Sequence, residues 1–94
     1  MAIKTFRDKA TEAIFNGKFA KAFGADVSRA ALRKLTYLHA VRQLDQLRVP
    51  PTNQLEALKG DRLGQHSIRV NDQFRICFRW RDGDAFDVEL VDYH

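Results

Sequence analysis

Apolar and polar residues alternate along the second half of the chain, and this period of two predicts β-strands. The pattern is strongest over 74–81, where three aromatic residues and an isoleucine occupy one face and three arginines with a cysteine occupy the other. Segments 66–70 and 85–92 show the same period. Asn-Asp at 71–72 and Asp-Gly-Asp at 82–84 separate the segments, and these residue types favour tight turns. We therefore expect an antiparallel meander of three strands.

One face of this meander is expected to pack against helices. The residues predicted to form the buried layer are Ile68, Val70, Phe74, Ile76, Phe78, Trp80, Phe86, Val88 and Leu90. This assignment leaves Asp87 and Glu89 on the outer face, where they can pair with arginines of the neighbouring strand.

Two segments of the first half repeat their apolar residues every three or four positions, which is the period of an α-helix. The first helix is predicted over 7–18, and Gly17 helps to end it. The second and longer helix is predicted to begin at an N-cap formed by Asp26 or Ser28. Its buried stripe is predicted to contain Val27, Ala31, Leu35, Leu38, Val41 and Leu44.

The remaining segments connect these elements. Residues 2–6 are a candidate short strand, the prolines at 50–51 end the helical pattern, and 52–64 is predicted to be a loop. The chain contains no internal repeat or linker-like stretch. This order predicts one α+β domain over 1–94, with N-terminal helices packed on one face of a small, mainly antiparallel sheet.

Composition narrows the possible functions only in part. The 94 residues and their 45% hydrophobic content suit one core, and the net charge of +4 suits a polyanionic partner such as nucleic acid. The single cysteine excludes an internal disulfide, and three scattered histidines do not make a standard zinc site. The sequence shows no signal peptide and no apolar run of membrane-spanning length, so we expect a cytoplasmic protein.

Arginines dominate the outer face of the predicted sheet. Arg69, Arg75 and Arg79 share this face with two acidic residues. On one interpretation they keep an exposed face soluble and are balanced by Asp87 and Glu89. On the other they bind RNA, because the planar guanidinium contacts phosphate oxygens with two hydrogen bonds and stacks on bases. We favour the second interpretation.

The sequence ends on Asp92-Tyr93-His94, where the last predicted strand ends. Histidine titrates near neutral pH, and a tyrosine or an aspartate can orient it or share a proton. Cleavage of RNA by its own 2′-hydroxyl requires such proton transfers. Lys59, in the loop before the sheet, can supply positive charge to the reacting phosphate.

Several motifs occur in an order and near a spacing that resemble those of a known family. They are Leu58-Lys59-Gly60-Asp61-Arg62, Ser67-Ile68-Arg69-Val70-Asn71, Phe74-Arg75-Ile76 and Val91-Asp92-Tyr93-His94. From about residue 55 to the end the chain resembles the HigB, or plasmid maintenance killer, branch of the RelE-type toxins. The N-terminal half agrees with this branch in length and character only.

The resemblance implies a compact RelE-like fold and a toxin of a type II toxin-antitoxin system. Such a toxin is a ribosome-dependent endoribonuclease that cleaves messenger RNA in the decoding site and needs no metal or organic cofactor. It is neutralised by a helix-turn-helix, HigA-like antitoxin, and operator DNA is contacted only indirectly, through the antitoxin complex. No membrane partner is implied.

The resemblance also implies roles for individual residues. The catalytic group would comprise Lys59, Arg75, Asp92, Tyr93 and His94. Arg69, Arg79 and Gln73 would bind RNA. Some family members carry histidine where this chain has Glu56, and asparagine where it has Gln73. Glu56 is therefore a candidate for proton transfer, although the unperturbed pKa of glutamate, about 4.3, suits neutral operation poorly, and we prefer His94 for this role.

Two alternatives remain open. The chain could be a non-catalytic module that binds RNA or the ribosome, or a degenerate toxin that acts only as a corepressor with its antitoxin. The basic side of the second helix, with Arg29, Arg33, Lys34 and Arg42, is similarly open. We interpret it mainly as a solvated helix face, although it could also contact RNA, the ribosome or the antitoxin.

Overall fold

The computed structural model describes residues 2–18 and 20–93. Two helices pack on one face of a four-stranded antiparallel sheet, which confirms the predicted α+β class. The helices are α1 (Lys9–Phe15) and α2 (Gly24–Ala40), and the strands are β1 (Glu56–Ala57), β2 (His66–Arg69), β3 (Phe74–Arg81) and β4 (Asp84–Asp92). No helix within these described ranges is long and apolar enough to cross a membrane.

The sheet has the order β1-β2-β3-β4, and each neighbouring pair is antiparallel. The predicted meander is therefore confirmed. The prediction of a loop throughout 52–64 is wrong, because Glu56 and Ala57 pair with Ser67 and His66 as a short first strand. Two exposed residues are too few to show a period of two, so the sequence pattern contained no signal for β1.

The free edge of β4 is covered by the N-terminal segment. Ile3 and Phe6 form parallel bridges with Ala85 and Val88, so the predicted strand at 2–6 exists only as isolated bridges. Further along the same edge, the hydroxyl of Thr11 accepts a hydrogen bond of 3.0 Å from the amide of Leu90. These contacts satisfy backbone groups that would otherwise be an open sheet edge.

Both helices differ from the sequence prediction at their ends. Helix α1 begins after Asp8, whose side chain accepts a 2.7 Å hydrogen bond from the amide of Thr11, and it ends three residues earlier than predicted. Helix α2 begins at Gly24, so neither of the predicted N-caps is used, and Ser28 lies buried inside the helix. The buried stripe is confirmed at its centre, where Ala31, Leu35 and Leu38 are fully buried.

A β-bulge in β4 changes which residues face the core. The register shifts by one residue between Cys77 and Arg79, and Asp87 adopts a positive φ of 54°. As a result Arg79 lies opposite Phe86, on the outer face, while Ala85 takes the buried position. The prediction that Phe86 belongs to the buried layer is therefore wrong.

Candidate active site

Arg75 lies at the centre of the outer face of the sheet, but it is not exposed. Only 9% of its side chain is accessible, which contradicts the expectation of an open arginine face. The cause is the segment that follows the prolines. This segment, residues 52–64, is called the covering segment. It folds back to form β1 beside β2, and it brings Gln54 and Glu56 into contact with the guanidinium.

Most groups that hold Arg75 are uncharged oxygens. Its Nε donates a 2.7 Å hydrogen bond to the hydroxyl of Ser67, and its Nη2 donates to the backbone carbonyls of Gln54 and, at 3.4 Å, Ser67. A longer contact of 3.5 Å joins Nη1 to the side-chain oxygen of Gln54. Partners on several sides determine the direction of the guanidinium plane.

Glu56 is the charged partner of Arg75. Its carboxylate lies 3.1 Å from Nη2, and 58% of its side chain is exposed. The candidate for proton transfer and the candidate phosphate ligand are therefore in direct contact. Because the carboxylate is solvated and the guanidinium is buried, the carboxylate is the partner that a ligand can displace most easily.

The C-terminal segment is held beside this site. The Tyr93 ring centroid lies 6.0 Å from the guanidinium carbon of Arg75, within cation–π range. The amide of Tyr93 donates a 2.7 Å hydrogen bond to the carbonyl of Gln73, whose side chain donates to Asp92 at 3.0 Å. Four predicted site residues are thus linked: Gln73, Arg75, Asp92 and Tyr93. His94, another residue of the predicted catalytic group, lies outside the described residues.

Lys59 is not linked to this group. It precedes the short 3-10 turn Gly60–Arg62, and its side chain is exposed. Within the described residues its ammonium group forms no hydrogen bond or ion pair. The structure therefore brings together Glu56, Arg75 and Tyr93, and leaves Lys59 on the covering segment with its charge unpaired there.

The two strand arginines predicted to bind RNA, Arg69 and Arg79, have acidic partners. Arg69 pairs with Asp72 in the turn after β2, and Arg79 lies 3.8 Å from Asp87. Glu89, which we expected to balance strand arginines, instead contacts residues outside β3. Its carboxylate lies 3.2 Å from Arg62 and 3.7 Å from Arg7.

Sequence reasoning missed Ser67 and Gln54 as supports of Arg75. Ser67 is fully buried and lies on the same face as Arg75, and a hydroxyl among the apolar and basic residues of a strand was the available signal. Gln54 carried no signal, because its contact depends on how the covering segment folds. Its backbone has a positive φ of 46°, which turns the chain toward β1.

Two titratable groups of the sheet have shifted pKa values: His66 of β2, which is half-buried, and Cys77 of β3, which is fully buried. His66 packs against Phe78 with ring centroids 6.4 Å apart, and burial followed by the charge of Arg48 lowers its pKa. Burial raises the pKa of the Cys77 thiol. In ranges 2–18 and 20–93 no three histidine, cysteine or carboxylate side chains are grouped so that they could hold a metal ion.

Comparison with known proteins gives consistent results. The family model of the HigB-like toxin, described as a RelE-like toxin of the type II toxin-antitoxin system HigB, matches residues 4–94. Toxin HigB-1 of Vibrio cholerae serotype O1 is 38% identical over 86 residues, covering 90% of each chain. Endoribonuclease HigB of Proteus vulgaris is 33% identical over 93 residues, covering 98% of this chain and 99% of the other.

The fold has a counterpart among solved structures. A chain of the YoeB-YefM complex from Staphylococcus aureus superposes with a TM-score of 0.56, covering 100% of this chain and 99% of that one. The sequence identity is 17%, so this likeness concerns the fold alone.

Proposed function

This chain belongs to the HigB-like family of RelE-like toxins from type II toxin-antitoxin systems, and from that premise we propose that it is a ribosome-dependent endoribonuclease that cleaves messenger RNA. The observation that carries the proposal is the buried guanidinium of Arg75. It is held by oxygens of Ser67 and Gln54 beside the ring of Tyr93. A cation held in one orientation stabilises a reacting phosphate without first having to reorganise.

In the proposed reaction, the 2′-oxygen of one nucleotide attacks the adjacent phosphorus and the bond from phosphorus to the 5′-oxygen breaks. The products are a 2′,3′-cyclic phosphate and a new 5′-hydroxyl. Arg75, aided by Lys59, binds the phosphate and stabilises the additional negative charge. Asp92, Tyr93 and His94 organise removal of the 2′-proton and its delivery to the leaving oxygen. Neither a metal nor an organic cofactor takes part.

Dependence on the ribosome follows from the small number of protein groups in this scheme. The decoding site would hold the messenger in the in-line geometry that the attack needs, and the toxin would add charge stabilisation and proton transfer. Arg69, Arg79 and Gln73 would contact the RNA around the cleaved bond. We therefore expect little cleavage of purified RNA, and steady cutting without ribosomes would contradict this part of the proposal.

Glu56 has two possible roles that one substitution separates. If it accepts the 2′-proton, Glu56→Gln removes the base and lowers the cleavage rate at least tenfold. If it only occupies Arg75 until a phosphate arrives, Glu56→Gln removes a competing charge and cleavage is kept or becomes faster. Because the side chain is 58% exposed, the substitution should leave the fold intact, which circular dichroism can check.

The proposed partners follow from the same family membership. We infer that a HigA-like helix-turn-helix antitoxin neutralises the chain, and that the pair binds operator DNA through the antitoxin. Residues 1–94 act as one toxin domain in the cytoplasm. Copurification with the product of an adjacent helix-turn-helix reading frame tests the partner.

The decisive experiment is primer extension on a defined messenger translated in vitro. The wild type should produce new 5′ ends that disappear in Arg75→Ala and in His94→Ala. Arg48→Ala is the matched control, because Arg48 is an exposed arginine paired with Asp45 outside the sheet. Arrest of translation without new ends would support a non-catalytic binding module, and loss of both arrest and cleavage with retained operator binding would support a corepressor.

A further inference from the structure

We propose that the cleft beside the bulge in β4 binds one nucleotide of single-stranded RNA. The inference deepens the proposed function, since it assigns a position to RNA away from the bond that is cleaved. The cleft has a volume of about 460 Å³, within the usual range for small-molecule sites. It is lined chiefly by Gly64, Arg79, Trp80, Arg81 and Phe86.

A stacking surface is present in this cleft. The guanidinium carbon of Arg81 lies 4.8 Å from the centroid of the Phe86 ring. Trp80 also lines the wall, but its ring packs against Phe78 of the core. Phe86 reaches this position only because the bulge turns it to the outer face. Aromatic rings and guanidinium planes are the groups on which proteins stack unpaired RNA bases.

The charge of the cleft suits a phosphate beside that base. Arg79 lies 3.8 Å from Asp87, and 48% of each side chain is exposed, so this pair is long and solvated. Among the described residues no carboxylate lies within ion-pair distance of Arg81, including Asp82 and Asp84 of the adjoining turn. Two arginines therefore face one carboxylate at the rim.

The covering segment leaves room for the arginine at this point. Gly64 has a φ of +93°, and a Cβ atom built there would lie 3.0 Å from Nη1 of Arg79. A side chain at this position would displace the end of the guanidinium. Glycine therefore lets the covering segment lie close to Arg79 at the edge of the cleft.

The cleft lies in line with the candidate active site. Arg75 and Arg79 lie on the same face of β3, four residues apart, which corresponds to roughly 13 Å along a strand. A few nucleotides of extended RNA can span this distance. An RNA strand that passes over the segment covering the middle of β3 would place its cleaved phosphate on Arg75 and a flanking base in the cleft.

The first test measures the binding of a short single-stranded RNA whose 2′-O-methyl groups prevent cleavage, by fluorescence anisotropy at fixed salt. Phe86→Leu removes the aromatic face, and Arg81→Lys keeps the charge but removes the planar group. Each should weaken binding about fivefold or more, because a stacked base contributes roughly 1–3 kcal/mol. Arg48→Lys is the control and should bind as the wild type does. Unchanged binding by Arg81→Lys and Phe86→Leu would overturn the subsite.

The second test identifies the source of the nucleotide in the complex with translating ribosomes. A photoreactive p-azidophenylalanine replaces Phe86, and the crosslinked RNA is mapped by primer extension. A crosslink to messenger or to ribosomal RNA supports the subsite and names its occupant, whereas crosslinks to protein alone would overturn it. Failure of the nuclease proposal can be recognised separately. In that case the wild type does not cleave messenger RNA, but Arg81→Lys and Phe86→Leu still weaken RNA binding.

Discussion

Replacing Ser67 by threonine or by valine tests whether the hydroxyl beneath Arg75 positions the guanidinium. The two substituted side chains have nearly the same shape and differ in one hydroxyl, so any crowding caused by the added methyl group affects both. Ser67 is fully buried and accepts a 2.7 Å hydrogen bond from Nε of Arg75. Threonine can keep this bond, and valine cannot.

The expected magnitude follows from burial. A hydrogen bond to a charged group contributes roughly 1.5–3 kcal/mol, and a buried donor left without its acceptor costs a similar amount. Only 9% of the Arg75 side chain is accessible, so water can replace the hydroxyl poorly. We expect the free energy of unfolding of Ser67→Val to be about 2 kcal/mol lower than that of Ser67→Thr. The guanidinium keeps its charge and its bond to the carbonyl of Gln54 but loses its fixed direction.

Urea denaturation measures the stability difference, and single-turnover cleavage of ribosome-bound messenger measures the catalytic effect. A misplaced catalytic group can lower a rate about 100-fold, so we expect the valine variant to cleave roughly 10- to 100-fold more slowly than the threonine variant at equal ribosome occupancy. Equal stabilities and equal rates for the two variants would refute the positioning role. A loss of stability with unchanged cleavage would reduce Ser67 to a packing residue.

Three further predictions concern the elements around the site. Asn53→Leu should lower the free energy of unfolding by about 2–4 kcal/mol in urea, because the fully buried amide donates to two backbone carbonyls and accepts from an α2 lysine. Burial and the charge of Arg48 lower the pKa of His66, so the neutral imidazole stabilises the fold above about pH 6.5 and protonation removes this contribution as the pH falls. His66→Phe should therefore lose less stability below pH 6.5 than the wild type, which thermal melts of both proteins from pH 5 to 8 can check. Gly64→Ala should lower the free energy of unfolding by about 1–2 kcal/mol, because the φ of +93° at this position disfavours alanine, and a lower melting temperature would show this.

The strands were predictable from sequence where residues obey a local rule. Over 74–81 the alternation places Ile76 and Phe78 in the core, and both are fully buried. The same rule failed for Phe86, because a bulge inserts one residue and reverses the faces beyond it. Nothing in the local pattern of 85–92 distinguishes a regular strand from a bulged one.

The local sequence pattern could not predict the burial of Arg75 either, but for a different reason. Alternation assigned it correctly to the face away from the helices, but whether that face is open depends on the covering segment. That segment closes over Arg75 through contacts between residues far apart in sequence, such as Gln54 and Glu56 with Arg75 itself. Periodicity contains no information about such contacts, so candidate site residues could be named from the resemblance while their arrangement could not.

The partners of Arg75 divide into a rigid set and a movable one, and this division matters for the proposed binding of a phosphate by Arg75. Ser67 belongs to β2, which is paired on both sides, and its hydroxyl is fully buried. Glu56 belongs to β1, a two-residue strand at the sheet edge, and most of its side chain is exposed. Displacing Glu56 therefore breaks few contacts, whereas displacing Ser67 disturbs the centre of the sheet. A phosphate that replaces the carboxylate would find the guanidinium already oriented, because the groups that orient it remain in place.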